Sequence, residues 1–269
     1  MRVDFEHLFA AAARLSALDG AADSEIGDGF VAMLRALVPF DYSVVFAYRG
    51  NERPVDLFST FDEAEYFIFV SLYQEGAYLL DPFFSAAMEP RPGIWRMREL
   101  APDRFFASEY YRGYYAKTGL SEEIGYFEPM ADGTTVVLSL MRKESAGPFR
   151  PAEYELLRKA SPFVRGLMHR LWGGVADRFD ARKTDGTPPE PPGFALGHAT
   201  ASLTARERSI VELVLQGHSS ESIGLKLGVA TGTVKVHRRN IYRKLGISSQ
   251  TQLMSLYLES LKPGERSIV

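Results

Sequence analysis

Residues 203–258 read LTARERSIVELVLQGHSSESIGLKLGVATGTVKVHRRNIYRKLGISSQTQLMSLYL, and their punctuation divides them into four short helices. Thr204, with Glu207 three residues on, forms a capping box that opens the first, and Gly217 closes it. Ser219 or Ser220 opens the second and Gly228 ends it. The third starts near Thr231 and stops at Gly246, and the fourth runs from Ser248 or Ser249 to about Leu258. Two short helices, a tight turn at GVATG and a basic third helix are the parts of a helix-turn-helix.

A helical wheel assigns the faces of that third helix. At about 100° per residue, Val234, Ile241 and Leu245 share one side and require an apolar partner, while Gly232, Val236, Arg239 and Arg243 project nearly opposite. Lys235 and Asn240 stand on the shoulders. Thr233 to Lys244 holds five Lys/Arg and no acid. One apolar and one cationic stripe suit a helix that enters the DNA major groove, where Arg and Lys donate to guanine and Val236 meets a thymine methyl. Lys235, Val236 and Arg239 are the expected base contacts. Thr231, Thr233, Arg238, Asn240, Arg243 and Lys244 are expected on the phosphates. A solvated basic helix of a small bundle is the bland alternative; spacing, capping and one-sided charge outweigh it.

The whole chain of 269 residues has a net charge of −3, which by itself argues against nucleic acid. The average conceals a division. Residues 201–269 hold ten Lys/Arg and five Glu, or +5, and the other 200 residues carry −8. Such a basic piece on an acidic body is the footprint of a nucleic-acid-binding module. Cysteine is absent, which excludes disulfides, Cys-ligated zinc and a thiol nucleophile. The start lacks the basic and apolar regions of a signal peptide, and no apolar run reaches membrane-spanning length. A cytoplasmic protein that meets no membrane is expected.

Four prolines and five glycines fall in residues 173–200, which predicts an extended linker. The expected division is therefore residues 1–174, a linker over 175–200, and residues 201–269. Within the linker, VADRFDAR can extend the preceding helix. In the first domain, helices are expected over Asp4 to Leu18, Glu25 to Val38, about 62–79, 83–89 and 103–117, and Glu153 to Leu171. Strands are expected at 42–48, 54–59, 123–130 and 134–143, the last two joined by the turn-forming pair Asp132-Gly133. The predicted class is α+β: an N-terminal α/β/α sandwich with an antiparallel sheet, and a C-terminal all-α four-helix helix-turn-helix domain.

Residues 203–258 resemble the LuxR-type helix-turn-helix throughout. The matching pieces are LTARER, the apolar run ending in Gly217, Ile223, Leu227-Gly228 and TVKVHRRNIYRKLG. The resemblance implies base reading by Lys235, Val236 and Arg239, a homodimer on a two-fold-related site in double-stranded DNA, and a dimer contact in the Gln252–Leu258 stretch. Three positions depart from the family pattern: Ala230 for a Ser cap, Ser222 for a Glu and Gly224 for an Ala. Loss of a cap side chain costs ~1 kcal/mol, although Thr231 can cap instead. Gly in place of Ala weakens a helix by up to ~1 kcal/mol.

Aromatic residues crowd positions 66–127, with Phe106, Tyr110 and Tyr114 at one-turn spacing. Most such rings belong to a core, but some, Tyr110 among them, can line a ligand cavity. Asp81-Pro82 reads either as a helix start, carboxylate cap then proline, or as a carboxylate aimed at a ligand N–H. Residues 66–142 resemble the autoinducer-binding domain that precedes LuxR-type modules, on Asp81-Pro82, Trp95 and the G-x-x-x-P of Gly125 and Pro129. That resemblance implies a small-molecule effector, with Asp81 binding an amide N–H and Trp95 walling the pocket. Phe69-x-x-x-Tyr73 stands for the family's Trp-x-x-x-Tyr, so no ring N–H is available there for a lactone carbonyl. Ser139 falls near a hydroxyl position of the family. No cofactor or metal is expected. A phosphoacceptor receiver is set aside because two helices precede the first strand. An enzyme is set aside because the first domain has only His7 and His169, no Cys and no catalytic glycine motif; residual turnover and control by a protein partner without a ligand stay open.

Overall fold

The computed structural model describes residues 3–89, 91–108, 111–112, 115–184 and 202–261. The chain divides into two compact units, and the division is not linear. The first takes residues 1–74, 83–100 and 119–190; the second takes 75–82, 101–118 and 191–269.

The first unit is built on a five-stranded antiparallel sheet of order β2-β1-β5-β4-β3. In chain order its main elements are α1 (Phe5–Leu15), α2 (Asp23–Leu37), β1 (Tyr42–Arg49), β2 (Val55–Ser59), α3 (Glu63–Tyr66), α4 (Leu72–Gln74), α5 (Pro82–Ala87), β3 (Gly93–Arg96), α6 (Met97–Leu100), β4 (Leu120–Pro129), β5 (Thr134–Lys143), α7 (Pro151–Leu171) and α8 (Ala176–Thr184). One sheet face presents Val45, Ala47, Ile94, Ile124, Tyr126, Val136, Leu138 and Leu140 to the apolar sides of α1, α2, α7 and α8. Tyr126 is fully buried there and satisfies its hydroxyl by donating to the Leu157 carbonyl at 3.0 Å. Between β4 and β5, Asp132 and Gly133 take φ values of 74° and 77°, the left-handed pair that an Asp-Gly hairpin requires. Pro151 opens α7, as expected of a residue with no N–H to lose.

Three expectations change. β3 was not foreseen, because four residues behind a proline pair carry too little alternation to register. The helix expected over 62–79 is broken into α3, a π-helical turn (Phe67–Ser71), α4 and a 3₁₀ turn (Ala77–Leu80), with Gly76 at φ 138° between the last two. The helix expected over 103–117 is represented, among the described residues, by 3₁₀ turns at Phe105–Ala107 and Tyr115–Thr118 and a helical pair at 111–112. Residues 175–184, at the head of the expected linker and read as able to continue the preceding helix, carry α8, which buries Val175 and Phe179 in the core and stacks Arg49 on Phe179.

The second unit carries α9 (Ala205–Gln216), α10 (Ser220–Leu227), α11 (Thr231–Leu245) and α12 (Gln250–Leu261). Thr204 and Glu207 form the capping box, Ser219 accepts from the Ser222 N–H, and Gly217, Gly228 and Gly246 end their helices in the left-handed region. Ala230 offers α11 no side-chain cap. Ile210, Val211, Val214, Leu215, Ile223, Val234, Ile241, Leu253 and Met254 are among its buried apolar side chains. Gly224, a weak helix former, packs closely: a Cβ there would lie 2.7 Å from the Val229 carbonyl oxygen, so an alanine would require the turn to shift. No helix among the described residues is long and apolar enough to cross a membrane.

Candidate functional site

The first candidate surface is α11. Its wheel is realised in the fold: Val234 and Ile241 are buried, while Lys235, Val236, Arg239 and Arg243 are exposed. Val236 is 47% exposed, an apolar side chain left in water between two cations. Among the described residues, no ion pair of Lys235 or Arg239 competes with an external anion. Thr233 is exposed, and Thr231 and Asn240 are half-buried.

Two of the expected phosphate contacts are committed elsewhere. Lys244 Nζ lies 2.7 Å from Glu207 Oε2, the carboxylate that also receives the Thr204 N–H at 2.8 Å. The Lys244 ammonium, helped by Thr204, holds the Glu207 carboxyl below its ordinary range despite its burial. Arg238 Nη1 donates to Ser220 Oγ at 3.2 Å, and its Nη2 donates to Tyr242 Oη at 3.2 Å and Gln250 Oε1 at 3.3 Å. Arg238 and Lys244, both expected on phosphates, thus hold partners inside the module: α9, α10 and α12 bring acceptors that no wheel of α11 alone contains. Arg243 keeps an exposed contact to Asn240 Oδ1 at 3.4 Å.

The second candidate surface is the other face of the sheet. Strand register aligns Trp95 with Gly125, Gly125 with Ser139 and Ser139 with Val44, one row across four strands. The neighbouring row is Phe127, Val137 and Phe46. Side chains opposite one another on antiparallel strands share a face, so three of the expected ligand residues, Trp95, Gly125 and Ser139, come together. Tyr73 joins them from α4. Its ring lies 5.0 Å from that of Phe46, and its hydroxyl meets that of Tyr48 at 2.9 Å. Phe69 sits at the far end of this face, stacked on Phe61 at 4.5 Å and beside Tyr42 at 6.0 Å. Gly125 is a close approach: a Cβ there would be 2.8 Å from Phe83 Cε2 and 2.8 Å from Phe127 Cε2.

Trp95 directs its indole N–H at the Arg91 carbonyl, 3.3 Å away. Asp81 belongs to the second unit, where it is 8% exposed and extended (φ −76°, ψ 128°) just before Pro82. Tyr110 lies outside the described residues. The surface thus offers aromatic faces and hydroxyls, fit for an apolar or aromatic small molecule with a few polar atoms. Val44, Phe46, Tyr48 and Val137 share this face without having been singled out in the sequence. The alternation of YSVVFAYR signalled a strand, yet nothing local told which of its two buried faces would meet Tyr73. Two buried acids of β4 pair with cations: Glu122 with Arg96 at 3.1 Å and Glu128 with Arg165 at 2.7 Å. Burial pushes the Glu122 carboxyl up, against the Phe149 N–H and nearby arginines.

Comparisons with known proteins bear on the family of the chain and on its fold. Residues 201–257 match the family model described as bacterial regulatory proteins, luxR family. A putative HTH-type transcriptional regulator in the exeN 3' region of Aeromonas salmonicida is 34% identical over 187 residues, covering 67% of this chain and 94% of that protein. The transcriptional activator protein PhzR of Pseudomonas fluorescens is 30% identical over 123 residues, 46% of this chain and 43% of that one. Among solved structures, the LBD domain of VqsR from Pseudomonas aeruginosa is similar with a TM-score of 0.52 at 23% identity, covering 62% of this chain and 94% of that one. This last likeness concerns the fold alone.

Proposed function

Because the chain belongs to the luxR family of bacterial regulatory proteins, a family of DNA-binding transcriptional regulators rather than enzymes, we propose that it is a small-molecule-responsive one. In this reading α11 enters the major groove. Lys235 and Arg239 donate to base edges and Val236 packs on a thymine methyl. The observation that carries it is the division of α11 into a buried apolar stripe and an exposed cationic one. The reading includes two copies on a two-fold-related site and a cytoplasmic location. The effector lies on the aromatic face around Ser139, Tyr48 and Tyr73.

Replacing Lys235 or Arg239 by Ala is expected to weaken specific binding by about 10–100-fold while the fold persists, since a bidentate base contact is worth about 1–3 kcal/mol. Unchanged sequence preference in both variants would remove α11 from the groove. For the effector, native mass spectrometry of the purified chain is the direct test, and a co-purifying small molecule is the expected result. One observation favours a second reading, control by a protein partner without a ligand: Phe83 already lies against Gly125 and edge-on to Phe127 at 5.2 Å, filling part of that face. A chain of bare mass, with no response to any small-molecule fraction, would favour it.

A further inference from the structure

α11 carries two consecutive arginines with opposite fates. Arg239 projects outward and is exposed; Arg238, about 100° round the helix, is half-buried and makes three hydrogen bonds inside the module. Its acceptors lie on three helices: Ser220 is the first residue of α10, Tyr242 is one turn along α11, and Gln250 is the first residue of α12. Gln250 passes the chain on, its Nε2 donating to the Val214 carbonyl of α9 at 3.2 Å. One planar guanidinium and one amide thus tie together all four helices of the motif. The guanidinium also lies over the Tyr242 ring, 5.9 Å from its centre.

We propose that Arg238 is the positioning residue of the DNA interface: it sets the angle of α11 against α10 and α12, and so the reach of Lys235 and Arg239, without touching DNA itself. The argument is geometric. A flexible cation can follow a phosphate through small movements, but base readout needs donors placed to a fraction of an ångström. A rigid fork with fixed donor directions is suited to holding that placement, and a lysine, with one mobile ammonium, is not. The charge of Arg238 is also already surrounded by neutral acceptors within the module, so its removal subtracts alignment more than phosphate attraction. This inference rests on the DNA-binding reading, and the test separates the two.

The full chain first selects a duplex from a random-sequence pool; that duplex and a scrambled one of equal composition are the probes. Failure of the unaltered chain to select any sequence would break the DNA-binding reading itself. Arg238→Gln is expected to lower the ratio of selected to scrambled affinity about tenfold or more, the size of one mismatched base pair. On the scrambled duplex, the slope of log affinity against log salt should stay as in the unaltered chain. Arg238→Lys, which keeps the charge but reaches a single acceptor, should fail to restore the ratio. Arg243→Gln is the contrast: a lost phosphate contact lowers the slope by about one and leaves the ratio near its starting value. The proposal is overturned if Arg238→Gln lowers the slope with the ratio intact, which marks a phosphate contact. It is equally overturned if both affinities fall in the same proportion, which marks general destabilisation, or if neither changes.

Discussion

α11 and the aromatic face of the sheet are the two candidate surfaces of the molecule, and they are assembled in opposite ways. Every outward residue of α11 lies within fifteen consecutive positions, so a single periodicity arranges the surface. The row Trp95, Gly125, Ser139 and Val44 draws on four strands spread over nearly a hundred residues and exists only once their register is set. The helix surface therefore depends on its surroundings only through how α11 is docked. The sheet face has no local fallback, because a single intrusion disturbs neighbours from several elements.

Gly125→Val sharpens this contrast and carries the largest expected effect. The new side chain would collide with Phe83 and Phe127, and overpacking of this kind costs about 1–3 kcal/mol. Denaturant unfolding should show the first unit losing stability, while DNA affinity below the transition stays near that of the unaltered chain. A midpoint that does not move would mean the face has room to spare. Tyr257→Phe comes next and probes the module away from α11. It removes the hydroxyl that donates to the Gly76 carbonyl at 2.9 Å and keeps the buried ring, for an expected loss of about 1 kcal/mol in thermal unfolding. Loss of sequence preference in that variant would show that α11 is less autonomous than the comparison holds.

The smallest effect near neutrality is a pH slope. Burial, then the Lys226 cation, push the His218 imidazole down to about 4, against the attraction of Asp103. The unfolded chain binds a proton below about 6.5 that the folded chain accepts only near 4, so the folded state loses stability as pH falls through that window. Above it the contribution is complete. Thermal unfolding between pH 7 and pH 5 should show this slope, and His218→Gln should flatten it. An unchanged slope in the variant would assign the acid sensitivity to another group.

The helix-turn-helix was legible because its signals are local: the Thr204–Glu207 box, the three glycine stops and the stripe of Val234 and Ile241 each sit within one helix or at its ends. The strands other than β3 and the Asp132-Gly133 turn were legible for the same reason. Partners arriving from elsewhere were not. Nothing near Lys244 announces Glu207, 37 residues away, and nothing near Arg238 announces Ser220 and Gln250 together. Of the aromatic face, Gly125, Ser139, Trp95 and Tyr73 had been singled out in the sequence, whereas Phe46 and Tyr48 depended on knowing which face of β1 meets α4. The break at Phe67–Ser71 had no visible cause, since its apolar run continues a helical period through the π turn.

The composition of the second unit has a consequence for how the chain is made. The Ser219 N–H is received by Asp103, 116 residues earlier, the Gly217 carbonyl accepts from the Arg104 N–H, and Tyr257 reaches back 181 residues to Gly76. At a synthesis rate of about 5–20 residues per second, residue 76 emerges roughly 10–35 s before its partner exists. Segments 75–82 and 101–118 must wait, with their neighbours on either side already free to join the sheet. Closing loops of such length is entropically slow, and pairings distant in sequence come late. The unit that carries α11 is thus completed by the final stretch of the chain, and a polypeptide stopped before Tyr257 leaves it unfinished.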